Sequence, residues 1–156
     1  MVDGVDTGQM FIQILLGVAL ILSTTVVAGL GFLVIEHVMN RCQAWLLRPP
    51  HAIKMLALLT GSVAWFLLIV TVAVWIWAMA FLALDIFVTV EAAVYFSIVS
   101  FTTLGFGDIL LPQDWRLLAG MSAINGLLMI GLQTAMLIEV IRRVRNTQGK
   151  HRDWIN

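Results

Sequence analysis

Residues 92–108 read AAVYFSIVSFTTLGFGD, a segment in which a short apolar run leads into two threonines and then Gly-Phe-Gly-Asp. At the usual helical rise, residues 92–101 predict a helix of about 15 Å, roughly half the thickness of the hydrocarbon core of a bilayer. Glu91 stands at the start of this helix, where the helix dipole favours an anion. A helix of this length cannot cross a membrane, so we expect the segment to enter and return on one side.

Three stretches around this segment contain no charged residue: residues 10–35, 55–84 and 117–138. Each is long enough to cross a bilayer as a helix. The chain is 61% hydrophobic and 12% charged, and its apolar runs lack the polar face that a helix of an oligomeric soluble protein needs. The sequence therefore predicts an all-α membrane protein with three transmembrane helices, a short re-entrant helix and a loop that follows it.

The basic residues indicate the orientation of the spans, because Lys and Arg accumulate in cytoplasmic loops. All but Arg116 lie between the first two spans or after the last one. We therefore expect a multi-pass protein of the cell membrane with its N-terminus outside and its C-terminus in the cytoplasm. The basic residues are too few and too localised for a nucleic-acid surface. The basic residues between the first two spans are Arg41, Arg48 and Lys54, and those after the last span are Arg142, Arg143, Arg145, Lys150 and Arg152.

The loop after the short helix carries Gly105 and Gly107 at alternate positions. Non-helical backbone at membrane depth is tolerated only where it is buried in protein or lines water. Alternate glycines free the chain from the usual dihedral limits, so that successive carbonyls can point toward an axis and replace the water around a cation. Gly-x-Gly alone would also fit a tight turn or a close helix contact.

The half-length helix, threonine pair, Gly-Phe-Gly-Asp and following span together resemble the pore region of the potassium-channel family over residues 85–143. The resemblance implies that K⁺ binds to backbone oxygens and a threonine hydroxyl. It also implies a cyclic homotetramer, because one copy of the loop cannot enclose an ion. The filter residues would be Thr103, Leu104, Gly105, Phe106 and Gly107.

The same resemblance divides the chain into three parts. Residues 53–145 correspond to a two-span pore domain. Residues 1–52 form an extra transmembrane helix and cytoplasmic loop, which we expect to pack on the outside of the tetramer. Residues 146–156 form a short cytoplasmic tail.

Two filter residues depart from the commonest family pattern, in which valine stands at the position of Leu104 and tyrosine at that of Phe106. Without a hydroxyl, Phe106 cannot hydrogen-bond to the pore helix, so we expect a filter more prone to collapse or to sodium leak. Tyr95 lies where the family has an aromatic donor, which implies a hydrogen bond to Asp108 that supports the filter. The alternative for Tyr95 is a tyrosine at the membrane interface.

The last span corresponds to the inner, pore-lining helix of the family. At its inner end Glu139 would bring four carboxylates together, where they could concentrate cations or take up protons. The alternative is that Glu139 pairs with Arg142 or Arg143, one turn away. The predicted pore-lining or gate residues are Leu128, Gly131, Ala135 and Glu139.

Other residues of the spans have simpler interpretations. Asn125 and Gln133 are expected to hydrogen-bond between helices, and Gly126 to pack closely or to provide a hinge. Trp75 and Trp77 are expected at the outer membrane interface, and the alternative is that they are bulky side chains that simply face lipid.

These features predict a K⁺-selective channel subunit that conducts passively. The alternatives are a weakly selective monovalent cation channel and a non-conducting structural subunit. No enzyme is expected, because His37, His51 and His151 lie at span ends or in the tail. The permeant K⁺ is the implied ion. Membrane lipid is an expected partner, and a separate regulatory partner is left open.

Overall fold

The computed structural model describes residues 7–46 and 51–153, with side chains for residues 7–41 and 53–143. Within these ranges the chain forms four α-helices and a short 3₁₀ turn, without strands. Three of the helices contain spans long and apolar enough to cross a membrane, so the predicted helical membrane class is confirmed. The elements are α1 (Thr7–Leu46), α2 (His51–Ala83), α3 (Val90–Phe101), the 3₁₀ turn (Gln113–Trp115) and α4 (Arg116–Asp153).

The helices extend past the charge-free stretches. The last helix, α4, continues from Arg116 to Asp153 and so includes most of the segment expected to be a separate tail. Apolar residues set the part of a helix that lies in lipid, but polar residues also continue a helix, so hydropathy places its ends poorly. The turn predicted at Pro49–Pro50 lies outside the described residues.

The first helix, α1, packs along α4 in the same direction. A Cβ on Gly17 would overlap the side chain of Met121 near the start of α4. Further along, Thr24 hydrogen-bonds to Asn125. The beginning of α1 therefore lies at the same end of the molecule as the beginning of α4. The position of α1 on the outside of a tetramer stays a prediction.

A second close contact joins α1 to α2. A Cβ on Gly31 would overlap the side chain of Ile69, so the absence of a side chain lets the two helices approach. The indole N–H of Trp65 donates to the carbonyl of Gly31 at 3.0 Å. The first helix is thus packed against both long helices of its own chain.

An aromatic cluster joins α2 to α3. The ring of Phe81 lies 5.8 Å from Trp77 and 5.4 Å from Phe96, and Trp77 also packs edge-on against Phe101. Trp77 is fully buried, so its expected place at the membrane interface is wrong. The reason is that α3 covers this face of α2, which a uniformly apolar sequence does not reveal. Trp75 is exposed, and its interfacial role stays a prediction.

The turn after α2 directs the chain into α3. Asp85 has a φ of +55°, and the N–H of Ile86 donates to the carbonyl of Phe81 at 3.1 Å. This is the arrangement of a helix that ends in a left-handed residue.

Candidate functional site

The helix α3 has the predicted half-membrane length and begins two residues before the apolar run. The hydroxyl of Thr89 accepts a hydrogen bond from the N–H of Ala92 at 3.3 Å and so caps the helix. Glu91 is exposed in the first turn. The helix ends at Phe101, after which the N–H of Thr102 donates to the carbonyl of Ile98 at 3.0 Å.

The carboxyl end of α3 is held against α4. Ser100 hydrogen-bonds to Ser122, and its hydroxyl also lies 3.1 Å from the carbonyl oxygen of Ala119. One turn further, a Cβ on Gly126 would overlap the backbone of Phe101. Gly126 therefore serves close packing, and this contact fixes the point from which the loop starts.

The loop of residues 103–107 alternates in backbone conformation. The φ angles are +55° at Thr103, +54° at Gly105 and +76° at Gly107. Positive φ is accessible to glycine but rare for a β-branched residue such as threonine. Alternation between positive and negative φ keeps a chain extended and lets successive carbonyls turn to one side. The two glycines indicate this conformation in the sequence, whereas a threonine at position 103 does not.

Backbone hydrogen bonds hold the start of the loop to α3. The N–H of Thr103 donates to the carbonyl of Ser100 at 2.9 Å, and the N–H of Leu104 donates to the carbonyl of Val99 at 3.1 Å. Leu104 and Phe106 are 56% and 65% exposed, so one chain leaves the loop open on one side.

Tyr95 and Asp108 hold the other end of the loop. The Tyr95 hydroxyl donates to Asp108 Oδ2 at 2.7 Å, so the expected hydrogen bond is present. Asp108 Oδ1 accepts from the N–H of Ile109 at 3.0 Å. The hydrogen bond to Asp108, with partial desolvation and the nearby carboxylate charge, raises the pKa of Tyr95 above its usual value. Both ends of the loop are therefore attached to α3.

Glu139 forms an ion pair with Arg143, which is one of the two roles predicted for it. Arg143 Nε donates to Glu139 Oε1 at 3.0 Å, and Arg143 Nη1 donates to Glu36 Oε1 of α1 at 3.2 Å. Sequence reasoning missed Glu36, because nothing in the local pattern relates it to a residue of the last helix. Whether Glu139 also faces a central axis stays a prediction.

The remaining predicted pore-lining residues share an open face of α4. Leu128, Gly131 and Ala135 are all exposed in the single chain. On the other side of the helix, Asn125 bonds to Thr24 as expected of a residue between helices. The side-chain nitrogen of Gln133 is buried and has no partner among the described residues, so its expected interhelical bond is not seen.

The segment that contains the short helix and the loop matches a known protein family. A family model described as an ion channel matches residues 56–143, more than half of the chain. The chain belongs to this ion-channel family. The matched segment begins in α2 and ends near the charged pair of α4, so it contains α3 and the whole loop, whereas α1 lies outside it. No curated protein and no solved structure matches the chain.

Proposed function

We propose that this ion-channel protein is a subunit of a potassium-selective channel, through which K⁺ passes down its gradient. The observation that carries the proposal is the alternating positive φ at Thr103, Gly105 and Gly107, at the end of a helix too short to span a membrane. Carbonyls turned to one side can replace the hydration shell of K⁺, and the Thr103 hydroxyl adds a further oxygen. Leu104 and Phe106 would contribute their backbone carbonyls to the same filter.

The proposed assembly is a cyclic homotetramer. A loop that is open on one side needs further copies to surround an ion, and a closed ring of identical chains supplies them. The exposed face of α4 is suited to line the pathway below the filter, because the other described helices of the chain leave it uncovered. The proposed lining residues are Leu128, Gly131, Ala135 and Glu139.

The proposed orientation puts the N-terminus and the filter on the outer side. It is supported by the parallel packing of α1 and α4 and by the basic residues near the opposite ends of these helices. Arg41, Arg142 and Arg143 all lie toward that opposite end.

Weak selectivity is the nearest alternative function. Phe106 has no polar atom with which to bond to the surrounding helix, so the support of the filter rests on backbone bonds near Thr103 and on the Tyr95–Asp108 pair. A filter supported in this way has fewer restraints on its diameter. The permeability to Na⁺ is therefore the quantity that distinguishes weak selectivity from K⁺ selectivity.

Purified protein in liposomes with opposing K⁺ and Na⁺ gradients tests the proposal. We expect a reversal potential close to that of K⁺, and loss of flux in Gly105→Ala. Alanine is strained at a φ of +54°, yet its Cβ would meet nothing in the chain, so the helices should fold. Gly29→Ala is the matched control, since a Cβ there also meets nothing.

Three results would contradict the proposal. A reversal potential near zero would indicate a weakly selective cation channel. No flux from correctly assembled wild-type protein would indicate a structural subunit. Unchanged flux in Gly105→Ala would show that the ion path does not use this loop.

A further inference from the structure

An apolar groove lies between the second half of α1 and the first half of α2. Its volume is about 290 Å³, and its walls include Val34 and Val38 from α1 and Leu58, Gly61 and Trp65 from α2. The channel-family match begins at residue 56, so one whole wall of the groove is outside the matched segment.

The groove is preformed by small and fixed residues. A Cβ on Gly61 would meet nothing, so the missing side chain leaves space between the helices. At one end, Trp65 is held by its hydrogen bond to Gly31. Val34 and Val38 are about half exposed, so the groove opens to the outside of the chain.

The location of the groove and the charges near it indicate which kind of molecule it binds. Both of its walls belong to membrane-spanning segments, so hydrocarbon chains are the molecules that meet it. Its lining contains no carboxylate. At the end away from Trp65, Arg41 follows Val38 by three residues and Lys54 precedes Leu58 by four, so both basic residues share the helix faces that line the groove.

We propose that this groove binds an anionic phospholipid, with an acyl chain between Val38 and Trp65 and the headgroup phosphate at Arg41. The side chain of Arg41 is exposed, and a guanidinium group forms strong paired hydrogen bonds to phosphate. Lys54 is buried and has a partner within the protein, so it contributes positive charge while Arg41 makes the headgroup contact. Basic pockets between transmembrane helices are suited to acidic headgroups.

Trp65 provides a direct measurement, because a bromine atom on an acyl chain quenches a nearby indole. The purified protein is reconstituted in phosphatidylcholine containing a minor fraction of brominated phosphatidylglycerol. In the reverse sample, the bromine is on a minor fraction of phosphatidylcholine in phosphatidylglycerol. The quenching due to Trp65 is the difference between wild type and Trp65→Phe. We expect stronger quenching by the brominated anionic lipid.

Arg41→Gln tests the headgroup contact. Loss of one basic residue near the membrane surface should lower the preference for the anionic lipid by about fivefold. Arg142→Gln is the charge-matched control, since Arg142 lies at the same end of the molecule on α4 and should leave the preference unchanged.

Gly61→Leu tests the groove itself. Its side chain should fill the space and remove the Trp65 quenching by the anionic lipid. Gly29→Leu is the control, because Gly29 also has room for a side chain but lies on the opposite side of α1 from Val38.

Equal quenching by the two lipids would overturn the proposal, as would an unchanged preference in Arg41→Gln. Quenching that persists in Gly61→Leu would mean that Trp65 meets the general lipid around the protein, which would also overturn it. None of these measurements depends on ion flux, so they test lipid binding independently of the proposed channel activity.

Discussion

Thr103 is the residue of the loop whose conformation is least expected. A β-branched residue at positive φ costs on the order of 1–3 kcal/mol, and this strain persists only where surrounding contacts require it. Its own N–H is bonded to Ser100, and the next N–H is bonded to Val99. A glycine would adopt this conformation without strain but would lack a hydroxyl. The use of threonine here is consistent with a proposed role for that hydroxyl in binding an ion.

Tyr95 provides a test at the scale of a single side chain, because it is the one tyrosine of the chain. The neutral phenol is the donor to Asp108, so the raised pKa means that the bond stabilises the folded protein at neutral pH. That stabilisation is lost as the pH rises through the folded-state pKa. We expect the phenolate absorbance of the folded protein to appear at a higher pH than the usual value of about 10.

Two substitutions of Asp108 separate the causes of this shift. Asp108→Asn keeps an acceptor but removes the charge, whereas Asp108→Ala removes both. The titration midpoint should fall from wild type to Asp108→Asn and again to Asp108→Ala. Identical midpoints in the three folded proteins would show that Tyr95 does not donate to Asp108 in the membrane.

At the scale of the helices, the buried pair of Thr24 and Asn125 holds α1 to α4. Asn125 Nδ2 donates to Thr24 Oγ1 at 2.8 Å, and Thr24 Oγ1 lies 3.1 Å from Asn125 Oδ1. Thr24 also has the carbonyl of Ile21 at 2.9 Å within its own helix. The hydroxyl therefore has another acceptor if Asn125 is lost, whereas Thr24 is the partner that the structure gives to the Asn125 amide.

A double-mutant cycle measures this contact. We expect Thr24→Val to destabilise the protein more than Asn125→Leu, because it leaves a buried amide without its partner. The double variant should be more stable than the sum of the two losses predicts, with a coupling of about 1 kcal/mol. Denaturation by detergent in mixed micelles provides the measurement. Additive losses would show that the two side chains do not interact.

The sequence predicted which helices exist better than it predicted how they pack. The length of α3 and its position before the glycines followed from the apolar run and from the geometry of a bilayer. The burial of Trp77 did not, because a helix that is apolar all round gives no sign of which face meets protein and which meets lipid. The Glu36–Arg143 contact joins distant parts of the chain, so no local pattern could indicate it.

In the molecule as a whole, α1 contacts α4 at three levels. Gly17 meets Met121 near the beginnings of the two helices, Thr24 bonds to Asn125 further along, and Glu36 pairs with Arg143 toward the other end. The ion-channel match contains α4 but not α1. The extra helix is thus attached along the length of the helix proposed to line the pore, including the turn that bears Glu139.

Mixing subunits tests the proposed assembly of the whole channel. If four loops form one filter, and if a single Gly105→Ala loop disrupts its ring of carbonyls, then only channels made entirely of wild-type chains conduct. Co-expression of the two chains at known ratios should lower K⁺ flux as the fourth power of the wild-type fraction. Gly29→Ala chains mixed in the same ratios should leave the flux unchanged. Flux that falls in direct proportion to the wild-type fraction would show that each chain conducts by itself, and would exclude a filter shared by four subunits.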